Sequence, residues 1–254
     1  MAMSTFLRNR YWVLRHGKSV PNERGLIVSS MANGMLEEYK LASEGVNQAQ
    51  LAGEAFLKAS VCLKDKMVYL LEHRMRNEAS EYLTIELKEE NIPLENVRIC
   101  YSPFSRTSHT AKVVASALKI PFDGPQCKAI EEFRERFFGP SFELMSHDKY
   151  LDIWALDERD PFMPPEGGES VADVVSRLTR ALGTIESEFQ GCAILVVSHG
   201  DPLQILQTIL NAAKQQEGSN GSDLTSRMQS VKVQSILSQH RKFALLTGEL
   251  RAVV

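Results

Sequence analysis

Apolar and polar positions alternate between two periods along this chain. Tyr11-Trp12-Val13-Leu14 is an unbroken apolar run with the composition of a buried strand. After it, residues 23 to 40 carry Gly25, Ser29, Ser30, Asn33 and Gly34 and read as an irregular loop. From about Ser43, Val46, Ala49, Ala52, Ala55, Phe56 and Ala59 recur at helical spacing. The segment from about 61 to 95 is mixed; NEASEYLTIELKEEN reads as helix and Pro93 stops it.

Val97–Tyr101 predicts a second strand, and Arg106 through Leu118 a helix with Ala111, Val114, Ala115 and Leu118 on one face. A third strand is predicted at Gln126 to Ile130, after which EEFRERFFGPSF and the Pro-rich stretch 161 to 165 read as excursions from the framework. Ser170 with Asp173 fits a capping box ahead of a helix using Val171, Val174, Val175, Leu178, Leu182 and Ile185, stopped at Gly191. Ala193 to Val197 is fully apolar and largely β-branched, as a central parallel strand should be, and a helix to about Ala213 follows. Residues 214 to 223 read as a polar linker, and last strands are expected near Val233 to Leu237 and Phe243 to Leu246.

Strand followed by helix, repeated, implies an α/β fold with a mostly parallel sheet, whose ligands sit beyond the carboxyl ends of the strands. That rule sorts the polar residues. Arg15 and His16 follow the first strand, Arg106 lies after the second, and His199 follows the run 193 to 197. Two guanidiniums match the oxygens of a transferring phosphoryl group, and an imidazole is largely neutral at cellular pH without a strong base beside it. The chemistry favoured is phosphoryl transfer through a phosphohistidine.

Composition narrows the picture. With 254 residues, 43% apolar and 24% charged, the chain can bury a core without staples. Net charge of −3 disfavours a nucleic-acid binder acting through overall positive charge. Cys62, Cys100, Cys127 and Cys192 show neither CxxC nor metal-ligand spacing, so they read as reduced thiols of a cytoplasmic protein, with no metal or cofactor implied. No secretion signal or membrane span is visible.

Two other readings of the motifs fail on chemistry. GKS at 17 to 19 ends like a nucleotide-binding loop, but the glycine needed five places before Gly17 is Trp12. Ser198, His199 and Asp201 look like triad members, but they are sequence neighbours without GxSxG.

LRHGKSVPN, YSPFSRTSHTA, FRERFFG, PPEGGES and VVSHGD occur in this order between residues 11 and about 205. Together they resemble the histidine phosphatase superfamily, the group that includes cofactor-dependent phosphoglycerate mutases and fructose-2,6-bisphosphatases. The resemblance implies one phosphoglycerate mutase-like domain over 1 to 254. It has a three-layer α/β/α core at about 8 to 213; the extra length at about 61 to 95 departs from the family pattern and is expected as a helical insertion near the active site. It further implies that His16 is the nucleophile, that Arg15, Arg106 and His199 bind the phosphoryl group, and that Glu135 is the general acid. Asn22 and Gly200 are expected as further phosphate contacts. Mutases of this type grip the substrate carboxylate with paired arginines where IWALDERDPFMPP here has only Arg159. A metal-independent phosphatase on a small phosphorylated metabolite is therefore expected, with a mutase and a non-catalytic phospho-ligand module as alternatives. A homodimer is left open.

Overall fold

The computed structural model describes residues 6 to 60, 92 to 215 and 224 to 253. The expected insertion lies outside the described residues except for 92 to 95, as does the expected linker except for 214 and 215.

Five strands form one sheet: β1 (Arg10–Arg15), β2 (Val97–Tyr101), β3 (Cys127–Ala129), β4 (Ala193–Ser198) and β5 (Leu250–Ala252), in the order β3-β2-β4-β1-β5. β4 is parallel to both β1 and β2, β3 is parallel to β2, and only β5 runs antiparallel, on β1. All six residues of β4 are buried, which its apolar run demands of a strand covered on both faces.

Among the described residues, five long helices frame the sheet: α1 (Ser43–Ser60), α2 (Ser105–Ala117), α3 (Tyr150–Arg159), α4 (Val171–Glu188) and α5 (Gly200–Gln215). Side chains alternate along each strand, so each sheet face has its own core. Tyr11, Val13, Ile194 and Val196 pack against Val174, Leu178 and Leu182 of α4 and Leu206 and Ile209 of α5. Trp12, Leu14, Leu195 and Val197 pack against Phe56 of α1 and Val114 of α2. These are the expected three layers.

α4 starts as its sequence dictates. Ser170 Oγ accepts from Asp173 N (3.1 Å), and Asp173 Oδ2 accepts from Ser170 N (2.9 Å). Ser170→Ala is expected to cost about 1 kcal/mol, visible as a drop of a few degrees in Tm by thermal denaturation.

Several expectations need correction. Residues 23 to 40 are not a plain loop: Ser19 and Ser30 cap the helical turns Val20–Arg24 and Met31–Gly34, and a 3-10 turn spans Glu37–Tyr39. On α1, Ala55 is exposed while Gly45, Gly53 and Leu57 are buried. Gly45 explains that rotation: a Cβ there would lie 2.0 Å from Lys18 O, and one on Gly17 would lie 2.2 Å from Gly45 O, so two glycines let α1 approach the end of β1. α3 falls between the two stretches read as excursions, in residues for which no element is predicted. At the C-terminus, Gln234–Leu237 is a helical turn and His240–Phe243 a 3-10 turn, not strands. Leu237 and Leu245 point into the core beneath α5, a use of short apolar runs that periodicity does not separate from strand pairing. The last strand is β5, so the sheet draws on residues well past 213.

Candidate active site

The carboxyl ends of β1, β2 and β4 deliver Arg15 and His16, Ser102 and Arg106, and His199 to one edge of the sheet. His16 N donates to Ser198 O (3.0 Å) and Gly248 N donates to both Arg15 O and His16 O (3.1 Å each), so the chain turns sharply just past β1.

His16 is 3% exposed and its two ring nitrogens have separate partners. Nδ1 lies 2.8 Å from Gly17 O, which can only accept, so Nδ1 carries the proton. Nε2 is then a lone pair, and Arg106 Nε donates to it at 3.1 Å. Burial, then Arg106 and Arg15, holds the His16 pKa well below the ordinary imidazole range. The ring is neutral at any cellular pH.

His199 stands with its ring centroid 5.3 Å from that of His16. Ser102 Oγ accepts from Phe104 N (3.4 Å) and lies 2.8 Å from His199 Nε2; with the hydroxyl donating to Nε2, the imidazole proton sits on Nδ1. Burial, then Arg106, keeps this ring neutral too. Among the described residues, its Nδ1 has no hydrogen-bond partner, and neither have Arg15 Nε and Arg106 Nη1. Three buried nitrogens on residues beside or facing His16 are thus left unsatisfied. Such groups cost about 1–3 kcal/mol each unless an acceptor arrives, and a phosphoryl group offers three.

Glu135 completes the group. Its Oε2 lies 3.6 Å from Arg106 Nη2 and 3.7 Å from His199 Nδ1, and its Oε1 accepts from Arg136 N (3.0 Å). Burial pushes its pKa up to about 7 against the pull of Arg106, with the Asp201 charge adding to the rise. A carboxyl that keeps its proton near neutrality suits a general acid.

The cavity between these groups is lined by Arg15, His16, Arg106, Glu135 and Asn22, together with Leu26, Val28, His147 and Tyr150. Its free volume is about 20 Å³, room for roughly one water. Asn22 Oδ1 accepts from Ser19 N and Ser19 Oγ, which fixes its amide at the rim. His199 and Gly200 do not line the cavity; Gly200 opens α5 beside Arg15, where an added Cβ would lie 3.7 Å from Arg15 Cζ. Lys18 is paired with Glu44 on the surface and takes no part.

Sequence reasoning missed the buried scaffold around Glu135. Arg136, fully buried, donates to both oxygens of Asp157 (2.7 and 2.8 Å) and to Asp201 Oδ2 (3.2 Å). Among the described residues, Asp157, Asp201 and His240 are the one group with metal-like spacing, but the Arg136 guanidinium already joins both carboxylates. Glu169, from the GGES stretch, accepts from Arg134, Arg177 and Phe137 N. The ER pair at 135 and 136 was the available clue, since an arginine beside an acid that must sit in the core needs partners of its own.

Tyr150 and His147 were also missed, being spaced like ordinary surface residues. They belong to a segment fastened to the loop opposite. Glu143 accepts from Ser29 N, Ser29 Oγ, Ser30 N, Ser30 Oγ and Asn33 Nδ2, and His147 Nε2 donates to Leu26 O (3.0 Å). Arg159 is elsewhere: it lines a separate groove of about 380 Å³ with Asp152 and Glu166.

A mostly parallel α/β sandwich with paired arginines and histidines at its strand ends is an arrangement suited to a phosphoryl group. The model of the histidine phosphatase superfamily (branch 1) matches residues 83 to 245, and the chain belongs to that family, as a phosphatase enzyme. No curated protein matches. Among solved structures, the mycobacterial glucosyl-3-phosphoglycerate phosphatase is similar at 17% identity and a TM-score of 0.56, over 95% of this chain and 88% of that one. A candidate alpha-ribazole-5'-P phosphatase from Escherichia coli str. K-12 substr. MG1655 has 22% identity and a TM-score of 0.53, over 96% and 88%. Bacillus stearothermophilus YhfR has 21% identity and a TM-score of 0.53, over 80% of each chain. At these identities the likeness is one of fold. Among the described residues, no helix is long and apolar enough to cross a membrane.

Proposed function

We propose that this phosphatase hydrolyses a small phosphorylated metabolite through a phosphohistidine on His16, without a metal. The observation that carries the reading is the set of three buried nitrogens without partners, on Arg15, Arg106 and His199, in the cluster that holds the His16 Nε2 lone pair. An incoming phosphoryl group draws Arg106 off Nε2 and takes the donors as its own. His16 Nε2 then forms a bond to phosphorus while the bond from phosphorus to the ester oxygen breaks, and that oxygen takes the Glu135 proton. Water attacks the phosphohistidine in the second step, Glu135 accepts its proton, and Nε2 leaves. The two guanidiniums supply the countercharge that magnesium supplies in other phosphoryl transferases.

Placement of Arg159 outside the cavity supports hydrolysis over transfer, since a mutase must anchor its substrate while the phosphoenzyme persists. The unpaired state of Cys100, Cys127 and Cys192 fits a cytoplasmic setting. Phosphate release from a panel of metabolite phosphates in EDTA tests the proposal. Release that needs added metal, or transfer between substrate positions faster than release, would overturn it.

Glu135 also sets a pH dependence. With its pKa near 7, kcat/KM is expected to fall as pH rises through about 7, after correction for substrate ionisation, while neutral His16 imposes no acidic limb until well below pH 6.5. Stability follows the same sign. The folded state holds this proton more tightly than the unfolded chain, so the contribution is full below the unfolded carboxyl pKa and is lost as pH rises to about 7. Glu135→Gln should therefore be more stable than wild type at pH 8, by up to about 3 kcal/mol and so with a higher Tm, while losing the alkaline limb with most of its activity.

A further inference from the structure

One peptide unit ties the phosphoryl-binding arginine to a carboxylate that lies outside the cavity. Resting on the phosphatase reading above, we infer that Glu143 is a positioning residue: it aims the Arg106 guanidinium at the phosphoryl group through the peptide that joins Val28 to Ser29.

The hydrogen bonds run in an unbroken line. Arg106 Nη2 donates to Val28 O (2.9 Å), and at the other end of the same peptide Ser29 N donates to Glu143 Oε2 (2.9 Å). A trans peptide is planar, with its C=O and N–H pointing in opposite directions, so fixing the N–H fixes the line along which the carbonyl meets Arg106. The carboxylate is itself firmly held. Its Oε2 also accepts from Ser29 Oγ (2.7 Å) and Ser30 N (3.0 Å), and its Oε1 accepts from Ser30 Oγ and Asn33 Nδ2 (2.8 Å each). Val28 and Ser29 are both buried, so a peptide released from Glu143 would not find water in its place.

Arg106 depends on this hold once substrate arrives. Its Nε donates to His16 Nε2 (3.1 Å), but that bond is given up when the nucleophile turns to phosphorus. Nη1 has no partner among the described residues, and Glu135 Oε2, at 3.6 Å from Nη2, is beyond hydrogen-bond length. The Phe104 ring lies against the guanidinium, with its centroid 5.0 Å from Cζ, a cation–π contact that does not set where the fork points. Among the described residues, Val28 O is therefore the hydrogen-bond acceptor that still directs the fork in the substrate complex. A guanidinium that meets phosphate oxygens through two parallel N–H groups loses much of its effect when it is turned.

The test is a double-mutant cycle, in which a residue acting through Arg106 and one that merely steadies the fold behave differently. kcat/KM for 4-nitrophenyl phosphate is measured for wild type, Glu143→Ala, Arg106→Ala and the double variant, each below its own Tm. Glu143→Ala is expected to lower kcat/KM by about 30-fold with Arg106 present, and by no more than about threefold in the Arg106→Ala background. Equal losses in the two backgrounds would overturn the inference, and so would a Glu143→Ala enzyme as active as wild type. Should Glu143→Ala not fold, Glu143→Gln takes its place in the cycle. Its amide oxygen is a weaker, uncharged acceptor for Ser29 N, so a loss of about fivefold is expected, again only where Arg106 is present.

Binding of inorganic phosphate, followed by phosphorus NMR, runs the same cycle without turnover. If the wild type hydrolyses no ester, yet Glu143→Ala weakens phosphate binding at least about tenfold only when Arg106 is present, the phosphatase reading fails and the inference stands. Hydrolysis by the wild type with additive losses in both cycles removes the role of Glu143 and leaves the phosphatase reading intact. A wild type that neither hydrolyses an ester nor binds phosphate removes both.

Discussion

His16→Ala is expected to lower phosphate release by at least about 10⁴-fold while circular dichroism shows the fold retained. The size of the loss rests on the chemistry: without Nε2 there is no covalent intermediate, and only the electrostatic contribution of the two guanidiniums and His199 persists. His199→Ala, which removes one donor and leaves the nucleophile, is expected to lose about 10²–10³-fold. Acid-labile, base-stable phosphate on the protein after rapid quenching should be found in the wild type and absent from His16→Ala. Equal losses in the two variants, or labelled enzyme in the absence of His16, would place the nucleophile elsewhere.

The largest effect on stability is expected from Asp157→Ala. Asp157 and Arg136 are both wholly buried, and the guanidinium donates two parallel bonds to that carboxylate. Truncating the acid leaves a buried cation with Asp201 alone to answer it, a change that typically costs about 3–5 kcal/mol. For a chain of this size the corresponding fall in Tm is roughly 10 °C. Asp152→Ala, which breaks an exposed pair with Lys149, is the control and should leave Tm unchanged. Activity of Asp157→Ala measured below its own Tm should fall as well, since Arg136 N holds Glu135 Oε1.

The parts of this protein legible in its sequence are those where one local rule decides. The run 193 to 197 could only be a central strand, and Ser170 with Asp173 could only open a helix; both are found as read. Arg15, His16, Arg106 and His199 are legible because each stands at or just past the carboxyl end of a strand, and the structure brings them together. Glu135 is legible by motif alone, because three nearby glutamates differ only in what surrounds them: Glu131 and Glu132 are not buried and Glu135 is.

The illegible parts depend on distant partners. Arg136, Asp157, Asp201 and His240 come from four separate segments and meet only in the folded core. The three-residue strand LRA has no pattern of its own and is a strand because β1 needs an edge partner. Tyr150 looks like a surface residue until α3 turns it towards the cavity.

The pairing of β1 has a consequence for the order in which the molecule becomes competent. Arg10 faces Ala193, and the backbone of His16 is fixed by Ser198 and Gly248, so the nucleophile is positioned almost entirely by chain made long after it. Contacts of such sequence separation close slowly and late. On the ribosome or during refolding, helices and the β2 region can gather before His16 has any fixed address. Turnover is therefore the last property to return, and recovery of activity dates the closing of the sheet more faithfully than recovery of helix does.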